Sequence, residues 1–98
     1  MTLTSKQRQF LKAKAHNLSP VVHVGDAGLT KGVVDATEQV LAAHELIKVR
    51  IQQGDKQVRS AIAQQLCERT EAELVQSIGR MAILYRPASE PTITLPAR

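Results

Sequence analysis

The hydrophobic pattern of this chain changes from a helical period to a strand period between residues 44 and 46. Five residues recur at helical spacing and form a single stripe: Val33, Thr37, Val40, Leu41 and His44. From residue 46 to residue 52 apolar and polar side chains alternate, with Lys48 and Arg50 on the polar face. The pattern therefore predicts a helix, from Lys31 to His44, whose stripe faces a sheet. A strand with one apolar face and one wet, basic face follows it directly.

The N-terminal segment contains signals for another helix and a short strand. Thr4 and Gln7 form a capping-box pattern, which predicts a helix that extends to about residue 16. Pro20 lies beyond its end, because the residue before a proline is disfavoured in the helical conformation. The β-branched run at 21–24, which Gly25 closes, is typical of a buried strand.

The C-terminal half adds a third helix and a hairpin. Asp55 follows a glycine and suits a helix cap, and apolar residues at i,i+4 spacing carry that helix to about Arg69. Two strands are then predicted at 74–78 and 81–86. Gly79 stands between them and is free to adopt the positive φ that a tight turn needs.

The predicted order α-β-α-β-α-β-β indicates a single α/β domain over residues 1–86, followed by an extended, proline-containing tail over residues 87–98. We expect a mixed four-stranded sheet. We also expect it to be covered mainly on one face, because a chain of 98 residues has few helices for two faces. The order of the strands stays open, since right-handed crossovers allow the second and third helices on the same face or on opposite faces.

The positive charge is concentrated in the first part of the chain. The sequence contains 13 Lys and Arg against 9 Asp and Glu, and the whole surplus of +4 lies in residues 1–60. The first 25 residues hold four positive charges and no acidic residue. Such asymmetry favours a polyanionic partner such as nucleic acid, although a chance imbalance on a solvated surface is the alternative.

Membrane association and secretion are not expected. The longest apolar run is four residues long, whereas about 20 are needed to cross a bilayer. The N-terminal residues become charged at once and lack the apolar stretch of a signal peptide. A lone Cys67 agrees with a reducing compartment and suits a small core filler. We therefore expect a cytoplasmic protein.

No constellation of residues for catalysis or metal binding is visible. His44 and Glu45 begin like a zinc-protease helix, but Lys48 stands where the second histidine ligand is required. The three histidines fall on separate predicted elements, and no nucleophile elbow or dinucleotide-binding motif occurs. We expect no enzymatic activity, no cofactor and no small-molecule substrate.

The segment at 25–28, Gly-Asp-Ala-Gly, leads from a predicted strand into a helix. Gly25 and Gly28 allow positive φ and a close approach of the main chain to a ligand. The first helical turn then offers unpaired N–H groups and the positive end of its dipole, which suit a phosphate. Thr30 either caps the helix or contacts the phosphate, and Lys31 adds charge. A tight turn without a ligand is the alternative, and the Walker pattern is absent.

Several segments together carry a specific resemblance over almost the whole chain. They are Leu11-Lys12, Ala15-His16, Pro20-Val21-Val22, the loop at 25–30, His44-Glu45-Leu46-Ile47-Lys48-Val49, Val75-Gln76, Ile78-Gly79, Leu84-Tyr85-Arg86-Pro87 and Leu95-Pro96. In these segments the chain resembles the YhbY family, the stand-alone bacterial form of the CRM (chloroplast RNA splicing and ribosome maturation) domain.

The resemblance implies an RNA-binding domain similar to the C-terminal domain of translation initiation factor three. Its Gly-x-x-Gly loop is likened to that of KH domains, and bacterial members are linked to precursors of the large ribosomal subunit. One departure is Asp26, where many relatives carry lysine or a neutral polar residue. A carboxylate beside a phosphate is unfavourable, but the main-chain donors remain.

The expected RNA site combines the loop with nearby basic residues. It comprises Gly25, Asp26, Ala27, Gly28, Thr30, Lys31, Lys48, Arg50, Lys12 and Lys14. Phe10 and Tyr85 are the only aromatic residues, so the contacts should fall on RNA backbone and shape rather than on stacked bases.

We therefore expect a protein that contacts structured ribosomal RNA in a large-subunit precursor and assists large-subunit assembly. Two alternatives stay open. One is a module that docks on a ribosomal protein or assembly factor, and the other is a small nuclease or phosphotransfer enzyme. The oligomeric state is not determined by the sequence.

Overall fold

A computed structural model describes residues 2–98 of the chain. The elements are α1 (Ser5–Ala15), β1 (Pro20–Val24), α2 (Lys31–His44), β2 (Leu46–Ile51), α3 (Lys56–Thr70), β3 (Glu73–Ile78) and β4 (Met81–Tyr85). This order confirms the expected α/β fold class. Each predicted boundary lies within about one residue of the observed one.

Side chains cap the start of all three helices, as their sequence signals predict. Thr4 Oγ1 accepts the N–H of Gln7, and Gln7 Oε1 accepts the N–H of Thr4, both at 3.1 Å. Thr30 and Asp55 each accept the N–H three residues ahead, at 3.2 and 3.0 Å. These bonds satisfy donors that have no partner inside the helix. Within residues 2–98 no helix is long and apolar enough to cross a membrane.

The sheet has the strand order β1-β2-β4-β3. β1 pairs with β2 in parallel, and the other two pairs are antiparallel. The parallel pairing brings the C-terminal ends of β1 and β2 to the same end of the sheet, which we call the loop end. The β3–β4 turn lies there too, since the N–H of Ile51 donates to the carbonyl of Arg80 at 2.7 Å.

Helices α2 and α3 pack on one face of the sheet and bury the larger part of the core. The buried residues of this cluster are Val22, Val24, Leu41, Ile47, Val49, Ile51, Ala63, Leu66, Cys67, Ala82 and Leu84. Burial, with a smaller contribution from Glu73 and Glu68, raises the pKa of the Cys67 thiol to about 12. An uncharged thiol in an apolar cluster is a packing group, as expected.

The other face of the sheet is covered too, contrary to our expectation of coverage mainly on one face. Helix α1 and residues 87–98 bury a second cluster there. Its members are Leu3, Leu11, Ala15, Leu46, Val75, Ile83 and Tyr85, with Ile93 and Leu95 partly buried against them. The reason lies in β4, which is apolar at all five positions and therefore needs cover on both faces.

Glu45 attaches residues 87–98 to the domain. It caps the C-terminus of α2 at φ 66°, and the residue is only 2% exposed. Its carboxylate accepts the N–H groups of Ala88 and Thr92 at 2.8 Å, the N–H of Ile93 at 3.1 Å, and the hydroxyl of Thr92. Burial opposes ionisation, but these hydrogen bonds together outweigh it and lower the pKa of Glu45 to about 2.

This carboxylate predicts an acid-sensitive contribution to stability. A carboxyl whose pKa falls from 4.5 to about 2 on folding stabilises the native state above about pH 4.5, and the contribution is lost as the pH falls towards 2. We expect on the order of 2 to 3 kcal/mol. Urea unfolding of the protein between pH 7 and pH 2 measures this change. The same series with Glu45→Gln should lose less stability over that range, and parallel curves would contradict the assignment.

Candidate nucleic-acid interface

Residues 25–30, the glycine loop, connect β1 to α2 at the loop end. The N–H of Gly28 donates to the carbonyl of Gly25 at 3.0 Å and closes a tight turn. The N–H of Thr30 donates to the carbonyl of Gly28, also at 3.0 Å. Gly28 adopts φ 74°, a conformation that favours glycine, whereas Gly25 does not adopt positive φ. Only one of the two glycines therefore uses the freedom that the motif offers.

The turn determines which main-chain groups are free to bind a ligand. The N–H groups of Gly28 and Thr30 are engaged within the loop. Among the described residues, no hydrogen bond uses the N–H groups of Gly25, Asp26, Ala27 or Leu29. The candidate donors are therefore the N–H groups of Gly25, Asp26, Ala27 and Leu29, whereas the N–H of Gly28, which we also expected to bind, is used within the loop.

Thr30 caps α2, which is one of the two roles considered for it. Its Oγ1 accepts the N–H of Val33, so the hydroxyl proton is still available for a second bond. Lys31 and Gly32 occupy the first helical turn, where N–H groups have no partner within the helix. The start of α2 thus adds donors and a positive dipole end beside the glycine loop.

The first part of the glycine loop is open to solvent, whereas Leu29 packs partly against the core and its carbonyl accepts a hydrogen bond from Arg69 at 3.5 Å. Asp26 and Ala27 are exposed. A Cβ added at Gly25 would meet no atom within 4 Å, and one at Gly28 would meet only Gln53 Nε2 at 3.7 Å. The main chain is therefore accessible to a ligand, most freely at Gly25.

Lys31, the predicted cation that follows the loop directly in the sequence, is already paired. Its Nζ lies 2.8 Å from Asp35 Oδ2, one helical turn ahead, with both side chains exposed. The hydrogen bond and charge of Asp35 raise the pKa of Lys31. An exposed pair of this kind contributes little to stability, so an incoming phosphate can replace Asp35 as the partner. Asp35 nevertheless neutralises part of the positive charge that we expected beside the loop.

Lys48 and Arg50 lie on β2, on the face opposite Ile47 and Val49, and both are half-buried. Arg50 stands next to His23 across the β1–β2 pair, one residue from the end of the strand. This register places Arg50 beside the loop end. Lys48 lies on the same face two residues earlier in β2, and is therefore further from the loop end.

Lys12 and Lys14, the two lysines of α1 that belong to the expected site, do not join the glycine loop. Lys14 lines a groove of about 480 Å³ together with Lys48, at the end of the sheet away from the loop end. Lys12 is half-buried on α1 and does not line that groove. Among the predicted basic residues, Lys14 and Lys48 therefore lie at the groove, and Arg50 lies roughly 6 to 7 Å from Lys48 on the same face of β2, closer to the loop end.

Two arginines at the loop end were absent from our expected site. Arg80, on the β3–β4 turn, donates to the carbonyl of Gln52. Arg59 donates to the carbonyls of Gly79 and Gly54, at 3.0 and 2.6 Å. The position of Arg80 in a hairpin turn can be predicted from the sequence. Only the strand order shows that this turn lies at the same end of the sheet as the glycine loop, with the end of β2 between them.

Carboxylates are fewer at the loop end than elsewhere. Glu68, Glu71 and Glu73 line a separate cavity at the far end of α3. At the loop end Asp35 pairs with Lys31, and Asp55 caps α3. Asp26 is exposed and takes part in neither kind of contact among the described residues. Within residues 2–98 no group of three His, Cys, Asp or Glu side chains could hold a metal ion.

Comparison with known proteins gives a consistent result. A Haemophilus influenzae protein named "RNA-binding protein" is 45% identical over 97 residues, which are 99% of this chain and 98% of the relative. The Bacillus subtilis "Probable RNA-binding protein YqeI" is 36% identical over 88 residues, covering 90% and 92% of the two chains.

A solved Staphylococcus aureus structure has the same fold. SAV1595, described as a candidate RNA-binding protein, superposes with a TM-score of 0.85 at 35% identity, over 97% of this chain and 100% of that one. The family model of the CRS1 / YhbY (CRM) domain matches residues 3–86. This chain therefore belongs to the CRS1/YhbY family and carries its CRM domain.

Proposed function

We propose that this chain binds structured RNA at the loop end of the sheet. The observation that carries the proposal is the exposed main chain of the glycine loop, whose N–H groups at Asp26, Ala27 and Leu29 have no partner within the described chain. A phosphate at this position accepts those donors and lies beside the positive end of α2. Arg50 adds charge from β2, and Arg80 adds charge from the β3–β4 turn. Relatives named as RNA-binding proteins support the assignment.

We further propose that the RNA is ribosomal RNA in a precursor of the large subunit, and that the chain assists assembly in the cytoplasm without catalysing a reaction. The resemblance to the YhbY family supports this choice. Ultraviolet crosslinking in cells, followed by sequencing of the bound fragments, tests it. Large-subunit ribosomal RNA should dominate the fragments. Fragments drawn mainly from messenger or transfer RNA would contradict the proposal.

The alternative function is docking on a ribosomal protein or assembly factor. Ribonuclease treatment distinguishes it from RNA binding. Precursor particles that carry the chain are digested with ribonuclease and sedimented again. We expect the chain to leave the particles when their RNA is degraded. Retention on the protein remnant would favour the docking module instead.

The available side chains indicate contacts with RNA backbone and shape. Tyr85 is buried at 2% exposure, and Phe10 lies on α1 rather than on the sheet. A stacking platform like that of an RRM is therefore missing from the sheet. About four to six phosphate contacts would give a slope of −3 to −5 for the logarithm of affinity against the logarithm of salt concentration.

Changing Lys48 and Arg50 together to glutamine is expected to make this slope shallower by about one to two. The physical reason is that each cation that contacts a phosphate releases condensed counterions. Filter binding to an RNA duplex at several salt concentrations measures the slope. The control variant changes Lys6 and Arg98 to glutamine, which removes the same charge at positions outside the loop end and the groove. Its slope should be closer to that of the parent. An unaltered slope in the Lys48 and Arg50 variant would place these residues outside the interface.

A further inference from the structure

We propose that the groove between α1, β2 and residues 87–98 binds one unpaired nucleotide of the RNA. The proposal rests on the proposed function, that the chain binds RNA, and adds a second subsite to it. The groove is distinct from the glycine loop, from which the length of β1 separates it. It takes the base of the nucleotide on its apolar floor and the adjoining phosphate at its basic rim.

The shape of the groove suits a ligand of this size. Its volume of about 480 Å³ falls within the roughly 300 to 1,000 Å³ of pockets that hold small ligands. Lys14 contributes from α1, Lys48 from β2 and Ile93 from the tail. The tail wall is held in place by the hydrogen bonds from Thr92 and Ile93 to Glu45.

The floor of the groove exposes apolar surface that the fold itself does not cover. Leu18 is 39% exposed and Val21 is 50% exposed, and both line the groove. His44, exposed at the end of α2, presents an imidazole ring at the same site. A base of any identity has a flat apolar face, which Leu18 and Val21 can remove from water and on which the imidazole of His44 can stack. A free phosphate would leave this apolar surface uncovered.

The rim selects an anionic ligand. Lys14 and Lys48 are the charged residues that line the groove, and no acidic residue of the described chain lines it. Neither lysine forms an ion pair among the described residues. A flat apolar group joined to a negative charge is the chemistry of a nucleotide. Lys48 also shares a face of β2 with Arg50, so a bound strand has a basic path from the groove towards the glycine loop.

Three RNA probes of the same length test this subsite. One is a fully paired duplex, the second carries a single bulged nucleotide, and the third carries an abasic residue at the bulge. The parent protein should bind the bulged duplex about tenfold more tightly than the other two, because burial of one face of the base against the apolar floor is expected to contribute a change of this size. Equal affinity for all three would overturn the subsite.

Leu18→Ala should abolish this preference while leaving the affinity for the paired duplex and the salt slope unchanged. Val58→Ala is the matched control, because Val58 is 44% exposed on α3, across the sheet from the groove. Val21→Ser, at a half-exposed position of β1, repeats the test if Leu18→Ala folds poorly. A preference that survives in both groove variants, or disappears in the control, would overturn the proposal.

The same measurements separate the groove from the proposed function. If no probe binds the parent protein at all, the proposed RNA binding itself fails. If all three bind equally and glycine-loop variants weaken all three, only the groove proposal fails. A poly-aspartate peptide that binds the parent and not Leu18→Ala, while that variant keeps its preference for the bulge, would assign the groove to an acidic protein partner and overturn the proposal.

Discussion

Replacing Gly25 with leucine is expected to lower the affinity for a bulged RNA duplex about ten- to hundredfold without lowering the free energy of unfolding. Gly25 is exposed, does not have positive φ, and has no atom within 4 Å of an added Cβ. The protein itself therefore tolerates the side chain. A phosphate that approaches the loop does not, and the loss of one charge-assisted hydrogen bond accounts for a change of this size.

Gly28 gives a second test with a different balance of effects. Its φ of 74° strains any L side chain by about 1 to 2 kcal/mol, although an added Cβ meets Gln53 only at ordinary contact distance. Gly28→Leu should weaken RNA binding and lower stability moderately without unfolding the domain. Gly28→Asn, which tolerates this φ better, should weaken binding with less loss of stability.

Filter binding measures the RNA affinity of each glycine variant, and urea unfolding measures its free energy of unfolding. Gly79→Leu is a control for stability, since Gly79 also has positive φ and no atom near an added Cβ. If both Gly25→Leu and Gly28→Asn bind RNA with the affinity of the parent, the glycine loop is not the phosphate site.

The second large effect is expected at Glu45. Glu45→Ala should destabilise the protein by about 3 kcal/mol, because a buried carboxylate that accepts four hydrogen bonds is removed and its donors lose their partner. The tail is then released, and Ile93 and Leu95 lose their contacts with the second cluster. For a domain of this length the melting temperature should fall by about 10 °C or more.

Hydrogen exchange shows whether the loss begins in the tail. The amides of Ala88, Thr92 and Ile93 should exchange much faster in Glu45→Ala than in the parent, under conditions in which the strands remain protected. Glu38→Gln is the matched control: Glu38 forms a partly exposed ion pair with Arg86, and its loss should cost at most about 1 kcal/mol. Equal destabilisation by the two variants would contradict the special role of Glu45.

The fold was predictable to the extent that local signals specify it. The capping pairs at Thr4, Thr30 and Asp55 and the turn glycine at Gly79 act within a few residues, so their effects can be read from the sequence. The glycine loop was recognisable for the same reason. Its free donors were not, because they depend on the hydrogen bond between Gly28 and Gly25 that closes the turn.

The role of Glu45 could not be derived from its own neighbourhood. In the sequence it looked like the start of a failed zinc motif beside His44. Its partners lie more than 40 residues away along the chain. For the same reason the sequence does not predict that residues 87–98, which Glu45 holds in place, cover the second face of the sheet.

The seven elements, the position of the glycine loop and the family can be predicted from the sequence, because capping, hydrophobic period and motif spacing are local properties. The strand order β1-β2-β4-β3 is a property of the folded chain, and it brings Arg80 to the loop end and leaves Lys14 with Lys48 in a separate groove. Strand pairing and tail docking join residues that are distant in the chain. Their free energy comes from hydrogen bonds and apolar contacts that exist only after the chain has folded.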